Sequence, residues 1–101
     1  MARFDVYRIS QADQDQFVVD VQSDFVSAIG TRVVVPLVPA PWFTPPVRDL
    51  NPFVEIAGQR LMVLTQELVS VPVRYLRNPV ASLTNRHDDI TRALDILLSG
   101  Y

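Results

Sequence analysis

Side chains able to transfer protons, attack carbonyls or hold metals are few in this 101-residue chain, and they are scattered. His87 is the only histidine, and it stands beside Asp88 and Asp89. A single imidazole does not make a His-rich metal centre, and a carboxylate centre would need grouped acids that the sequence lacks. The absence of cysteine removes disulfides, iron–sulfur clusters, thiolate zinc and cysteine nucleophiles together. All nine basic residues are Arg, so there is no lysine for a Schiff base or a phosphate-binding P-loop. The three glycines, Gly30, Gly58 and Gly100, form no GxGxxG, GxxxxGK or GxSxG pattern. Asp88-Asp89 suits the first turn of a helix, where acids meet the positive end of its dipole, better than an acid–base pair. The residue chemistry therefore predicts a binding protein with no cofactor and no metal.

Charge narrows the partners. The formal net charge is −2, whereas proteins that grip nucleic acid through phosphates usually carry a basic excess. Stand-alone DNA or RNA binding is disfavoured. Hydrophobic residues make up 49 % and charged residues 20 %, an ordinary globular balance. The length predicts a single domain over residues 1–101. No apolar run reaches the roughly 18 residues of a membrane helix, and no basic-then-apolar leader opens the chain, so the expectation is a cytoplasmic protein without a membrane partner.

Period-two patterns predict most of the elements. Phe4, Val6 and Arg8 alternate with Asp5, Tyr7 and Ile9, which predicts a strand; Ser10–Gln16 reads as a polar hairpin loop. In the next strand, 17–22, Phe17, Val19 and Val21 face one way and Val18, Asp20 and Gln22 the other. A connection over 23–31 leads to a buried, β-branched strand, Arg32–Val38. Pro36 inside it predicts an edge position or a bulge. The proline-dense stretch 39–52 predicts a stiff loop carrying Trp42 and Phe43. Phe53–Ala57 and Arg60–Leu64 flank Gly58-Gln59, a spacing that predicts a type II′ hairpin. A further strand is expected over Leu68–Leu76, with Pro72 again marking an edge or bulge. A helix then starts near Thr84-Asn85, capped by either side chain. Ile90, Leu94, Leu97 and Tyr101 form its buried stripe, and Asp88–Arg92 is spaced for an ion pair. The predicted fold is mainly β, five or six strands followed by one C-terminal α-helix, arranged as a small, partly open antiparallel barrel.

Three blocks and the chain end carry a resemblance. They are Phe17-Val18-Val19-Asp20-Val21-Gln22-Ser23-Asp24, Thr31-Arg32-Val33-Val34-Val35-Pro36-Leu37, Val69-Ser70-Val71-Pro72-Val73, and a terminal helix with glycine one residue from the end. In this order, over Phe4 to Tyr101, they resemble the CcdB family, the toxin half of the CcdA–CcdB toxin–antitoxin pair. The resemblance implies an SH3-like barrel of the CcdB/MazF type and a homodimer. It implies binding to the A subunit of DNA gyrase and trapping of that enzyme on cleaved DNA. A CcdA-like antitoxin would remove the toxin from gyrase, and the two together would repress their operon, with DNA contacted only through the antitoxin. Such modules serve plasmid maintenance.

The family's gyrase contacts map onto Phe25, Val26, Asp95, Leu98, Ser99, Gly100 and Tyr101, and Arg8, Trp42 and Phe43 are candidate antitoxin contacts. Phe25 and Val26 also fit a strand-end core, Leu98 fits helix packing, and Trp42 with Phe43 fits a plug in the barrel mouth. Ser99 stands where some members carry a tryptophan, and serine offers no aromatic platform. Two other functions compete: a retargeted or degenerate toxin that leaves gyrase alone, and an endoribonuclease of the MazF type, which shares the barrel.

Overall fold

The structure, a computed structural model, describes residues 2–11, 14–39 and 45–100. Within them run β1 (Asp5–Gln11), β2 (Gln14–Asp20), β3 (Thr31–Pro39), β4 (Phe53–Ile56), β5 (Gln59–Val63), β6 (Val69–Pro72), β7 (Ala81–Ser82) and α1 (His87–Ser99). All pairings are antiparallel, in the order β4-β5-β3-β2-β1-β7, with β6 also on β3. The result is a nearly closed barrel with the helix packed on it. The mainly-β class with one C-terminal helix agrees with the expectation.

Apolar residues cover both faces of the central strands, which explains their near-continuous hydrophobic runs. Val6, Val19, Val21, Val35 and Leu37 face Ile90 and Leu94 of α1, with Phe4 and Leu83 closing the same core. Tyr7, Val18 and Val34 point to the opposite face, where Leu76 covers them. Leu97 is half-buried; Tyr101, the last member of the expected stripe, lies outside the described residues.

Pro36 occupies neither an edge nor a bulge. β3 is a central strand that pairs with β2 on one side; on the other, β6 pairs with Thr31–Val34 and β5 with Leu37–Pro39. Pro36 O accepts from Leu64 N at 3.0 Å on that second side. The missing N–H therefore falls where β3 changes neighbours and no ladder bond is lost. Pro72 does end an edge strand: β6 stops there and Val73–Tyr75 forms a 3-10 turn, so the expected strand to Leu76 is cut short.

Four further expectations are corrected. The first hairpin is tighter than Ser10–Gln16, because the ladder runs on to Gln11↔Gln14. The β4–β5 turn residues are Ala57 and Gly58, since Ile56 pairs with Gln59. Both have positive φ, 52° and 78°, which makes a type I′ turn, the form whose twist suits a hairpin. The helix begins with a 3-10 turn, Thr84–Arg86, and neither Thr84 nor Asn85 caps α1; the Ser82 hydroxyl accepts from Thr84 N instead. Arg92 reaches Asp49 at 3.4 Å and does not pair with Asp88, whose carboxylate meets His87 Nδ1 at 3.1 Å.

Ala57 sits in the left-handed region, which costs an L-residue roughly 1–2 kcal/mol, partly offset by the greater unfolded-state freedom of glycine. Ala57→Gly is expected to stabilise the fold by about 0.5–1 kcal/mol. The urea unfolding midpoint checks this, and an unchanged or lower midpoint contradicts the turn assignment.

Candidate functional site

The register of β2 and β3 builds the site from two charges. Asp20 lies opposite Val34, so Arg32 stands one diagonal step away on the same face. Both side chains are buried, at 0 % and 1 % exposure. Arg32 Nε donates to Asp20 Oδ2 at 2.8 Å, and a guanidinium Nη lies 2.7 Å from the same oxygen. That Nη also donates to Gln22 O and to Asp24 Oδ1, each at 3.2 Å. Burial pushes the Asp20 carboxyl above the ordinary aspartate range, while the Arg32 hydrogen bond and charge, then the Gln22 N–H, pull it back. Burial also works against the Arg32 charge, but the hydrogen bond and charge of Asp20, and then those of Asp24, raise its pKa overall. Next to this pair lies Tyr7, whose phenol is raised first by burial and then by the nearby carboxylates.

The pair ties down the segment that follows β2. Asp20 Oδ1 accepts from Gln22 N at 3.0 Å. The Gln22 side chain spans the loop: Oε1 accepts from Val33 N at 3.0 Å and Nε2 donates to Val26 O at 2.7 Å. Ser23 Oγ accepts from Phe25 N, capping the 3-10 turn Asp24–Val26. The first residues of the chain join in, with Arg3 N donating to Asp24 Oδ1, Arg3 Nε to Val21 O, and Phe4 N to Asp20 O. Phe4 holds φ at +74°, a strained backbone that persists where surrounding contacts impose it.

This scaffold presents apolar side chains to solvent. Phe25 is 97 % exposed, and Val26 and Ile29 are about half exposed. The strand-end core reading of Phe25 and Val26 is thereby corrected: neither joins a buried cluster. At the far end of α1, Leu98 is 70 % exposed, Asp95 and Ser99 are exposed, and Gly100 ends the helix at φ +83° with its N–H bonded to Asp95 O and Ile96 O. That left-handed cap is a conformation in which glycine replaces other residues at least cost. Leu98 therefore does not pack into the core.

Among the described residues, no hydrogen bond or ion pair links Phe25–Val26 to Asp95–Gly100; Phe4, whose N–H bonds Asp20 O, has its ring 6.1 Å from that of His87 at the start of α1. Arg8 is exposed on β1, with its guanidinium 5.4 Å from the Phe17 ring centroid and 4.0 Å from Asp15. Trp42, Phe43 and Tyr101 lie outside the described residues. Sequence reasoning missed the positioning residues Asp20, Gln22, Asp24 and Arg32. The available signal was a pair of opposite charges at the meeting ends of two valine-rich strands.

A second surface feature is an apolar groove of about 350 Å³ on the face opposite α1, between Val18, Val34, Pro36, Val69, Val71 and Tyr75. It holds no grouped acids, His or Arg among its lining residues. No cluster of metal-ligating side chains occurs among the described residues.

This barrel with a C-terminal helix is a fold shared with several solved proteins. An endoribonuclease solved in complex with its cognate antitoxin, from a mycobacterial species, shares it with TM-score 0.79 at 16 % identity, over 97 % of this chain and 94 % of that one. A further mycobacterial endoribonuclease matches with TM-score 0.76 at 16 % identity, over 97 % and 90 % of the two chains. Mycobacterium tuberculosis toxin MazF-mt6 matches with TM-score 0.70 at 16 % identity, over 92 % and 94 %. At the level of family the match is more particular: residues 3–100 fit the CcdB protein family, and the chain belongs to it. It is a toxin of the toxin–antitoxin class.

Replacing Arg32 by Met leaves the Asp20 carboxylate buried and unpaired, and is expected to cost about 3–5 kcal/mol at neutral pH. The Asp20 pKa in the folded variant then rises further above its unfolded value. A raised folded pKa means the native state binds the proton more tightly, so the variant regains stability as pH falls from neutral toward about 4. Urea midpoints at several pH values check this. A midpoint equal to that of the parent protein at neutral pH contradicts the role given to the pair.

Proposed function

We propose that this chain is the toxin of a type II module that binds the A subunit of DNA gyrase and holds the enzyme on cleaved DNA. The observation that carries the reading is Phe25, a large aromatic almost fully in water yet mounted on a turn fixed by a buried ion pair. Phe25 stands where the resembled family places a gyrase contact. Rigid exposed aromatics are costly in water and pay their way as interface anchors, because little entropy is lost when they are buried. Val26 beside it, and Leu98 with Asp95, Ser99, Gly100 and Tyr101 at the helix end, would complete the contact. A homodimer would present two copies of each to a two-fold target. The open groove on the second sheet face is an apolar surface suited to such self-association. A monomer in sedimentation equilibrium at micromolar concentration would remove that part of the reading.

A CcdA-like antitoxin is the proposed partner in neutralisation and in repression of the operon, with Arg8, Trp42 and Phe43 as its contacts on the toxin. A solved antitoxin complex of a protein with this fold supports an antitoxin partner. The acidic net charge is consistent with the antitoxin supplying the DNA contacts. Its site of action would be the cytoplasm, where gyrase works.

Endoribonuclease activity is the second reading, favoured by the fold neighbours. Acid–base cleavage of RNA needs a positioned proton donor and acceptor beside a phosphate site. His87 stands exposed on the first turn of α1 against its own neighbour Asp88, and Arg32 is committed to Asp20 and Asp24. These placements support the non-catalytic reading.

The test is gyrase-mediated DNA cleavage with ATP present and a quinolone as positive control. Linear DNA is expected to accumulate with the wild-type protein and to vanish when a cognate antitoxin peptide is added. Phe25→Ala is expected to weaken the effect by about 30-fold or more, the scale of an anchor contributing about 2 kcal/mol or more, with an unchanged unfolding midpoint. Normal supercoiling with no gyrase A binding sinks the gyrase reading; RNA cleavage in the same preparation moves the second reading to the front.

A further inference from the structure

Among the described residues, the Gln22 side chain is the one bridge that joins strand β3 to the carbonyl of Val26 in the exposed turn. Its Oε1 accepts from Val33 N at 3.0 Å, a backbone donor at the end of the β2–β3 ladder. Its Nε2 donates to Val26 O at 2.7 Å, beyond Phe25 in the chain. Both bonds run through one half-buried primary amide, which alone among neutral side chains of this length offers an acceptor and a donor at once. The main chain of Gln22 is held separately, by Asp20 Oδ1 on its N–H and Arg32 on its C=O. Changing the side chain therefore leaves the buried ion pair and its backbone contacts in place.

We infer that Gln22 is a positioning residue for target binding: its amide braces the Asp24–Val26 turn against β3 and keeps Phe25 and Val26 in the binding-competent pose. Asp24, Ser23 and the first residues of the chain fix the near side of the turn. Among the described residues, Gln22 alone ties the far side, at Val26 O, to a strand through a side chain. Without that tie the turn samples other poses, and apparent affinity falls by the fraction of time the competent pose is lost. This inference rests on the gyrase reading for its partner, but the geometry of the brace stands apart from it.

The test compares Gln22→Ala and Gln22→Glu with the parent protein. Gln22→Glu is nearly isosteric and keeps the acceptor for Val33 N, but at neutral pH it has no proton to donate to Val26 O. A packing role predicts that Gln22→Glu behaves like the parent. The bracing role predicts that both variants lose about 10-fold in affinity for the gyrase A subunit, as expected if the competent pose falls to about a tenth of the population. Backbone 15N order parameters of the free proteins should drop at Phe25 and Val26 and stay unchanged in β1, β2 and β3. Parental order parameters at Phe25 and Val26 in both variants overturn the brace. Parental affinity in both variants, with the wild type binding, overturns its role in recognition. Failure of the wild type itself to bind gyrase A overturns the functional reading instead, and the order parameters still decide the brace.

Discussion

Two opposite charges removed from water, Asp20 and Arg32, organise everything exposed at one end of the barrel. Taking both out of water is costly, and a buried pair of this kind often contributes less to stability than an apolar replacement would. What it supplies is direction. The carboxylate uses one oxygen for Arg32 and the other for Gln22 N, while the guanidinium reaches on to Gln22 O and Asp24. Each of these bonds pins a residue of the segment leaving β2. A segment bordered by Gly30 would otherwise have little reason to hold a phenyl ring in water.

The sheet makes such a burial feasible because it is covered on both faces. Helix α1 packs on one face through Ile90 and Leu94, and Leu76 covers part of the other beside Tyr7, Val18 and Val34. On that second face the environment changes along the strands, from the charged pair at one end to the apolar groove at the other. Pro36 is compatible with the central strand because it falls between the stretches paired with β6 and β5. The ladder thus tolerates a residue that period and propensity alone assign to an edge.

Much of this was legible from residue pattern. Alternation located β1 and β2, a β-branched apolar run located β3, and the helical repeat located Ile90 and Leu94 on the buried side of α1. The failures share a cause, which is that tertiary contacts outrank local preference. β-branched Val73 sits in a 3-10 turn because Pro72 ends the β6 edge strand and Val73 N bonds Gly30 O. Ala57 takes a left-handed conformation because the ladder sets a two-residue loop. Thr84 and Asn85 fall in a 3-10 turn before α1 and so cannot cap it. Phe25 is the clearest limit of pattern reading. A phenylalanine beside a valine after a strand reads equally well as core or as surface. Only the turn geometry puts it in solvent, and only resemblance to a family suggested a use for it.

Fold and function separate here in a way that the neighbours make plain. Endoribonucleases share the barrel at 16 % identity, yet sharing a barrel does not transfer a reaction, since function lies in the side chains mounted on it. We propose that the surface mounted on the Asp20–Arg32 pair is what meets gyrase. The most direct test is titration of the gyrase A subunit into 15N-labelled protein, following the loss of each amide signal. Early, selective broadening is expected at Phe25, Val26, Asp95, Leu98, Ser99 and Gly100. Uniformly unperturbed spectra, or broadening confined to the groove between Val18, Val34, Val69 and Val71, would contradict it.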